Sequence, residues 1–498
     1  MRTSGILMPV FSLDSPYGIG TLGRSAYEFV DFLKASGQTY WQMLPIGITG
    51  FGDSPYQSVS SYAGNPYFID LDFLIEDGLL TKTEVESFEW KTEKGIDYEF
   101  LYKNRYKVLH LAFNRFKKNI PEDFYIFEKE NADWLEDFAL YSAIKQEQKG
   151  ASFDVWPKEF SYENVKGKDI LSESRKFYKM LQYLFFKQWF ELKDYANKNG
   201  VYIIGDIPIY VAYDSVDVWS DKKQFLLDEN LKPKIVAGCP PDAFSEDGQL
   251  WGNPIYDWKF MKQDGFSWWI KRVGYLSRLY DLVRIDHFRA FSAYFGIPYG
   301  DETAKNGKWY KCYGRQLFTL LNKTYGKLNI IAEDLGTIDD DVRKLLKFTG
   351  FPGMKVLQFA FDPESESSYL PHNITKNCVV YTGTHDNDTA IGYLNSADES
   401  QVKFAKEYLR ISDGEQFNWA LIKAAMATAA DTVIFQMQDF LGLDNNARMN
   451  TPATDKGNWQ WRMEKGCANP WLAKIIYDIT KIYYRLPSPI PEKVNKKV

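Results

Sequence analysis

Three acidic side chains stand where short apolar runs end. Asp286 closes Leu282-Val283-Arg284-Ile285, Glu333 closes Asn329-Ile330-Ile331-Ala332, and Asp386 follows Val379-Val380-Tyr381-Thr382-Gly383-Thr384-His385. Two carboxyl groups suffice for glycosidic chemistry. One attacks or stabilises an anomeric carbon, and the other, kept protonated, donates to the leaving oxygen. Arg284 precedes Asp286 by two positions, so on a strand both side chains face the same way. Its cation is expected to hold Asp286 ionised and to depress its pKa, as a nucleophile requires. Whichever carboxyl keeps its proton near neutral pH is expected to have its pKa raised by burial and by the other acid. His287 and His385, two of four histidines, abut two of these aspartates.

Acids at strand ends need a scaffold that gathers strand ends. Eight apolar, β-rich runs occur in order, at 5–10, 40–44, 201–207, 282–285, 329–332, 354–359, 378–382 and 432–437. Most are continuous rather than alternating, as in strands covered on both faces, and helical periodicity separates several of them. The expected class is α/β, a (β/α)8 TIM barrel with inserted mainly helical subdomains, whose strand ends feed the catalytic loops. Ser25-Ala26-Tyr27-Glu28 reads as a capping box opening the first barrel helix. The gap between the second and third runs far exceeds the roughly 30 residues of a βαβ crossover. A helical insertion is therefore expected at about 50–195. A Gly- and Pro-rich stretch at about 235–256 is expected to be an irregular loop, a lid over the barrel mouth. One catalytic domain over 1–485 and a basic tail over 486–498 complete the expected organisation.

Bulk properties exclude other classes. The 60 basic and 66 acidic residues give a net charge of −6, which offers no basic face for nucleic acid. No uncharged apolar window is long enough for a membrane span, and the N-terminus lacks a convincing signal peptide, so a cytoplasmic location is expected. Cys239, Cys312, Cys378 and Cys467 have no metal-ligand spacing. Aromatic residues make up 17% of the chain. Most must pack cores, and a sugar ligand, whose apolar ring faces stack on Trp and Tyr, accounts for a surplus.

The segments Val283 to Arg289, Ile331 to Gly336 and Thr384 to Asn387 resemble signature regions of the α-amylase clan. Ser54-Pro55-Tyr56-Gln57, Gly64-Asn65-Pro66-Tyr67, Gly205 to Tyr210, Pro240 to Pro254 and Arg448 to Pro452 resemble the 4-α-glucanotransferases of glycoside hydrolase family 77. The resemblance implies Asp286 as nucleophile, Glu333 as general acid/base and Asp386 as transition-state stabiliser. It implies that Arg284 and His385 support the donor-side sugar and that Asp206 helps shape that pocket. Substrate contacts are implied at Ser54, Tyr56, Asp242, Phe244, Gln249, Trp251, Asp362 and Asn450. The implied partners are α-1,4-glucans and maltooligosaccharides, without metal or organic cofactor. An α-amylase-type hydrolase on the same barrel and a non-catalytic glucan-binding protein are the alternatives.

Overall fold

Eight short buried runs pair in parallel: β1 Thr3–Leu7, β2 Tyr40–Gln42, β3 Tyr202–Pro208, β4 Leu282–Asp286, β5 Ile330–Ala332, β6 Gly353–Val356, β7 Cys378–Tyr381 and β8 Thr432–Gln436. The computed structural model describes residues 2–91, 95–241, 246–454 and 456–487. β1 to β5 pair successively, as do β6 to β8, and β8 returns to β1 with Thr3 opposite Thr432 and Leu7 opposite Gln436. The ladder lapses between β5 and β6. There the Ala332 N–H donates to the Pro352 carbonyl at 2.9 Å, and the Asp334 carboxylate accepts the Met354 N–H at 2.7 Å. A side chain thus replaces the missing backbone partner, and the barrel closes. Both faces of the strands are covered, which explains why their sequences read as unbroken apolar runs.

Helices cover most of the crossovers, among them Arg24–Ala35, Ser172–Lys198, Ser267–Leu279, Gly314–Tyr325, Asp340–Thr349 and Phe417–Ala427. The passage from β6 to β7 uses only the 3-10 turns Leu357–Phe359 and Pro371–Asn373. The first helix starts earlier than its sequence signal. It has Gly23 as N-cap and makes no side-chain cap hydrogen bond, so the expected capping box at Ser25 does not form. A Cβ on Gly23 would lie 2.0 Å from Asp70 Oδ2, so the close approach of that carboxylate admits only glycine at the cap. Between β2 and β3 lie Tyr98–Phe116, Glu122–Glu130 and Ala132–Glu147, followed by Ser172–Lys198, which packs on Ala132–Glu147 before leading into β3.

The segment expected to be irregular is a β-hairpin. Ile235–Cys239 and Gln249–Pro254 run antiparallel and join Ala293–Pro298 and Lys308–Lys311 in a four-stranded sheet beside the barrel mouth. Its strands pair across two different loops, with Val236 opposite Ile297, a partnership invisible in either segment alone. The glycines enable the structure rather than forbid it: a Cβ on Gly238 would sit 2.2 Å from the Gln249 carbonyl oxygen. Val236, Phe295, Ile297 and Ala304 form a small core of their own beneath this sheet.

Candidate active site

Strand register builds the site. Asp206 of β3 lies opposite Arg284 of β4, and Pro208 lies opposite Asp286. Arg284, 3% exposed, donates through Nη1 to both oxygens of the fully buried Asp206 at 2.7 Å, and through Nη2 to Asp286 Oδ1 at 2.9 Å. Burial opposes its charge, but the flanking Asp206 and Asp286 prevail and raise its pKa well above the ordinary value. Tyr56, carried by the segment after β2, donates its hydroxyl to Asp206 Oδ2 at 2.9 Å. Its ring stacks on the His385 imidazole, with centroids 5.2 Å apart and planes 17° apart.

Asp286 and Glu333 are each partly exposed yet closely surrounded by protein. The expectation that Arg284 depresses the Asp286 pKa is corrected. Burial, with Asp206 and Asp386 adding like charge, raises it above the ordinary carboxylate value, and Arg284 only counteracts part of the rise. Glu333 is pushed up to about 8, first by burial and then by Asp286. Its Oε2 accepts the His287 N–H and its Oε1 the Leu335 N–H, both at 2.7 Å. The two carboxyls are thus differentiated: a guanidinium holds one, while the other, hydrogen-bonded among the described residues only to peptide N–H groups, has its pKa pushed up to about 8.

Asp386 sits on the tight turn after β7, where the Asn387 side chain accepts the Thr384 N–H at 2.9 Å. Asn450 donates to Asp386 Oδ1 at 2.6 Å, and His385 Nε2 lies 3.3 Å from Oδ2. Arg448 holds the turn from outside, donating to the Asp386 carbonyl at 2.7 Å and the Asn450 carbonyl at 2.8 Å, and pairing with Asp388. Asp206, Tyr56, Arg284, Asp286, His385, Asp386 and Asn450 are therefore joined by a chain of direct contacts, and Glu333 adjoins them through the N–H of His287, the residue after Asp286, and through the field of Asp286.

The other described residues expected to contact substrate are held by local partners. Trp251 packs edge-on against the His287 ring at 4.8 Å and donates its indole N–H to Gln249 Oε1 at 3.0 Å. Ser54 Oγ accepts the Tyr56 N–H at 3.2 Å, fixing the local turn. Asp362 caps its own loop, accepting from the Glu364 N–H and the Ser365 hydroxyl at 2.9 and 2.8 Å. No hydrogen bond among the described residues links it to the three carboxylates. Asp242 and Phe244 lie outside the described residues. Sequence reasoning assigned no role to Arg448, although it stands in a segment singled out for resemblance. Trp459, 5.8 Å from Tyr56 and 5.9 Å from His385, carried no signal, because only the folded chain brings it there. Among the described residues, no group of three or more side chains could hold a metal ion, and no helix is long and apolar enough to cross a membrane.

Comparison with known proteins converges on one family. Residues 8–468 match glycoside hydrolase family 77, described as 4-alpha-glucanotransferase. A 4-alpha-glucanotransferase of Clostridium butyricum is 48% identical over 96% of this chain and 100% of the relative. One from Thermus thermophilus is 44% identical over 94% of this chain and 96% of its own. Among solved structures, an amylomaltase from Streptococcus agalactiae in complex with acarbose superposes with a TM-score of 0.94 at 42% identity, covering 97% of this chain and all of the other.

Proposed function

Because the chain belongs to the 4-alpha-glucanotransferase family, glycoside hydrolase 77, we propose that Asp286, Glu333 and Asp386 carry out its glucan transfer in distinct roles. The enzyme moves a segment of an α-1,4-glucan to the 4-hydroxyl of glucose or another glucan. Asp286, ionised and held by Arg284, attacks the anomeric carbon as Glu333 protonates the departing glycosidic oxygen. A covalent β-glucosyl-enzyme results. Glu333, now ionised, takes the proton of the incoming 4-hydroxyl, the second displacement restores the α configuration, and the acid is regenerated. Asp386, fixed by Asn450 and Arg448, is placed to bind sugar hydroxyls as the ring flattens. Nucleophile and acid both come from the chain, so the chemistry calls for no cofactor.

The observation that carries this reading is the unequal treatment of two neighbouring carboxyls, Asp286 on a guanidinium and Glu333 raised to about 8. Tyr56, His385 and Asp206 suit the donor-side sugar, and Gln249 and Trp251 of the hairpin suit the acceptor side. Residues 1–485 form the catalytic unit in this reading, with functional insertions at about 50–195 and 235–256 and a basic tail at 486–498. Asp242 and Phe244 are assigned to the acceptor and Asp362 to a substrate hydroxyl. The cytoplasm, where soluble maltooligosaccharides and glycogen or starch fragments are at hand, is the proposed location. Incubation with maltotriose tests the reading. A ladder of longer oligosaccharides with released glucose is expected, and Asp286→Asn or Glu333→Gln abolishes it. Reducing ends that rise without a ladder would identify a hydrolase instead.

A further inference from the structure

His287 occupies a left-handed conformation, φ 54° and ψ 45°, immediately after the proposed nucleophile. This conformation is uncommon for a residue with a Cβ, although histidine tolerates it better than most. It turns the His287 N–H onto Glu333 Oε2 at 2.7 Å. The next residue continues the lacing, since the Phe288 N–H donates to the Glu333 carbonyl at 3.1 Å. A strained backbone kept at such a place needs something to hold it.

The four-stranded sheet supplies the hold, at two points. Trp251, on its Gln249–Pro254 strand, abuts the His287 ring edge-on at 4.8 Å. Trp309, on Lys308–Lys311, lies 3.8 Å from the Arg289 guanidinium, which bonds the Thr337 carbonyl and pairs with Asp339 in the loop after β5. Residues 287–289 are therefore clamped between the sheet and the loop that bears Glu333. The imidazole makes no hydrogen bond through its buried Nε2, and burial followed by the Arg289 charge lowers its pKa to about 3. It is neutral throughout the working range, so its contact with Trp251 is one of packing.

Resting on the assignment of Glu333 as proton donor, we propose that His287 is a positioning residue that transmits the seating of the Trp251 hairpin to the Glu333 carboxyl. When the hairpin is seated, Trp251 keeps His287 left-handed and its N–H on Oε2. When it lifts, the turn relaxes and Glu333 loses one donor. The sign of the consequence is specific. An N–H donated to a carboxylate stabilises the anion, so its loss raises the Glu333 pKa and moves the alkaline limb of the rate profile upward. Mere entry of water through a missing indole relieves desolvation and moves the limb downward. Among the described residues, the charged and titratable groups acting on Glu333 are Asp286 and Arg284 on β4 and Tyr369 in the segment before β7, and the Trp251 and His287 variants below alter none of them.

The test is the pH dependence of kcat/KM for maltotriose disproportionation in the wild type, Trp251→Ala, Trp251→Phe, His287→Gly and the double variant Trp251→Ala/His287→Gly. Circular dichroism confirms that each is folded. Trp251→Ala is expected to move the alkaline limb upward by about half a pH unit or more, and Trp251→Phe, which keeps a ring against the imidazole, is expected to restore it. In the His287→Gly background the same Trp251→Ala change is expected to add nothing. A downward shift, no shift, or equal shifts in both backgrounds would overturn the proposal. If the wild type made no oligosaccharide ladder, or if Glu333→Gln kept the alkaline limb, the assignment of Glu333 itself would fail, a different result.

Discussion

At the residue scale the site works by making two like groups unlike. Asp286 and Glu333 share a crowded mouth, yet among the described residues one carboxylate bonds Arg284 and the other bonds only peptide N–H groups. The rate of transfer should follow a bell-shaped pH profile whose alkaline limb lies near 8, where Glu333 loses its proton. The acid limb should lie above the ordinary carboxylate range, since burial raises Asp286. Initial rates on maltotriose across pH measure both limbs. Stability carries the same signature. A raised Glu333 pKa means that the folded protein binds the proton more tightly than the unfolded chain, so this contribution is full below the ordinary carboxylate value and is lost as pH rises toward about 8. Glu333→Gln does not titrate there, and its melting temperature should gain on the wild type as pH rises from about 5 to about 8. A constant difference across that range would contradict the assigned shift. The acids, Arg284, His385 and Asn450 could all be named as candidates from the sequence, and the fold brings them together. The direction of the Asp286 shift was not, because adjacency to Arg284 is written in the chain while the surrounding protein, Asp206 and Asp386 arrive only on folding.

At the element scale, two parallel strands share a buried ion pair whose arginine also holds Asp286, the proposed nucleophile. Asp206 is fully buried and its charge is answered by Arg284. Arg284→Met strands that charge and should lower unfolding free energy by about 3–5 kcal/mol in urea. Adding Asp206→Leu should recover most of the loss while leaving the enzyme inactive, which separates folding from catalysis. The hairpin is equally specific. Gly238→Ala forces its Cβ against the Gln249 carbonyl and should splay the strands, lowering transfer relative to hydrolysis with little change in global melting, because the small core beneath is separate from the main one. Product analysis on maltotriose and calorimetry together check this. All eight barrel strands could be read from the sequence, since strands covered on both faces form continuous apolar runs. The hairpin could not. Glycine and proline usually mark irregular loops, and here the pairing partner, Ala293–Pro298, lies on the far side of β4.

At the scale of the whole molecule, the ends of the chain lock the floor of the barrel. Arg485 is fully buried and donates to the carbonyls of Thr3, Met426, Thr428 and Ala430 at 3.0–3.1 Å. Arg2 joins it, donating to the carbonyls of Met426 and Thr428 at 2.6 Å. Replacing Arg485 with Ala takes this donor from the Thr3 and Ala430 carbonyls, which Arg2 does not serve, each costing about 1–3 kcal/mol, so a clear fall in melting temperature is expected; Arg485→Lys, with no planar fork, should recover only part. Nothing local marks this role, since Arg485 reads as one more cation before a Lys-rich end. The pairing of Thr3 with Thr432 has a further meaning in time. At a ribosomal rate of about 5–20 residues per second, β1 emerges roughly 20–90 s before its second neighbour exists. Throughout that interval one edge of the nascent sheet offers unpaired amides to any passing strand. The yield of active enzyme is therefore decided partly during translation, by whatever shields the first strand until the eighth arrives.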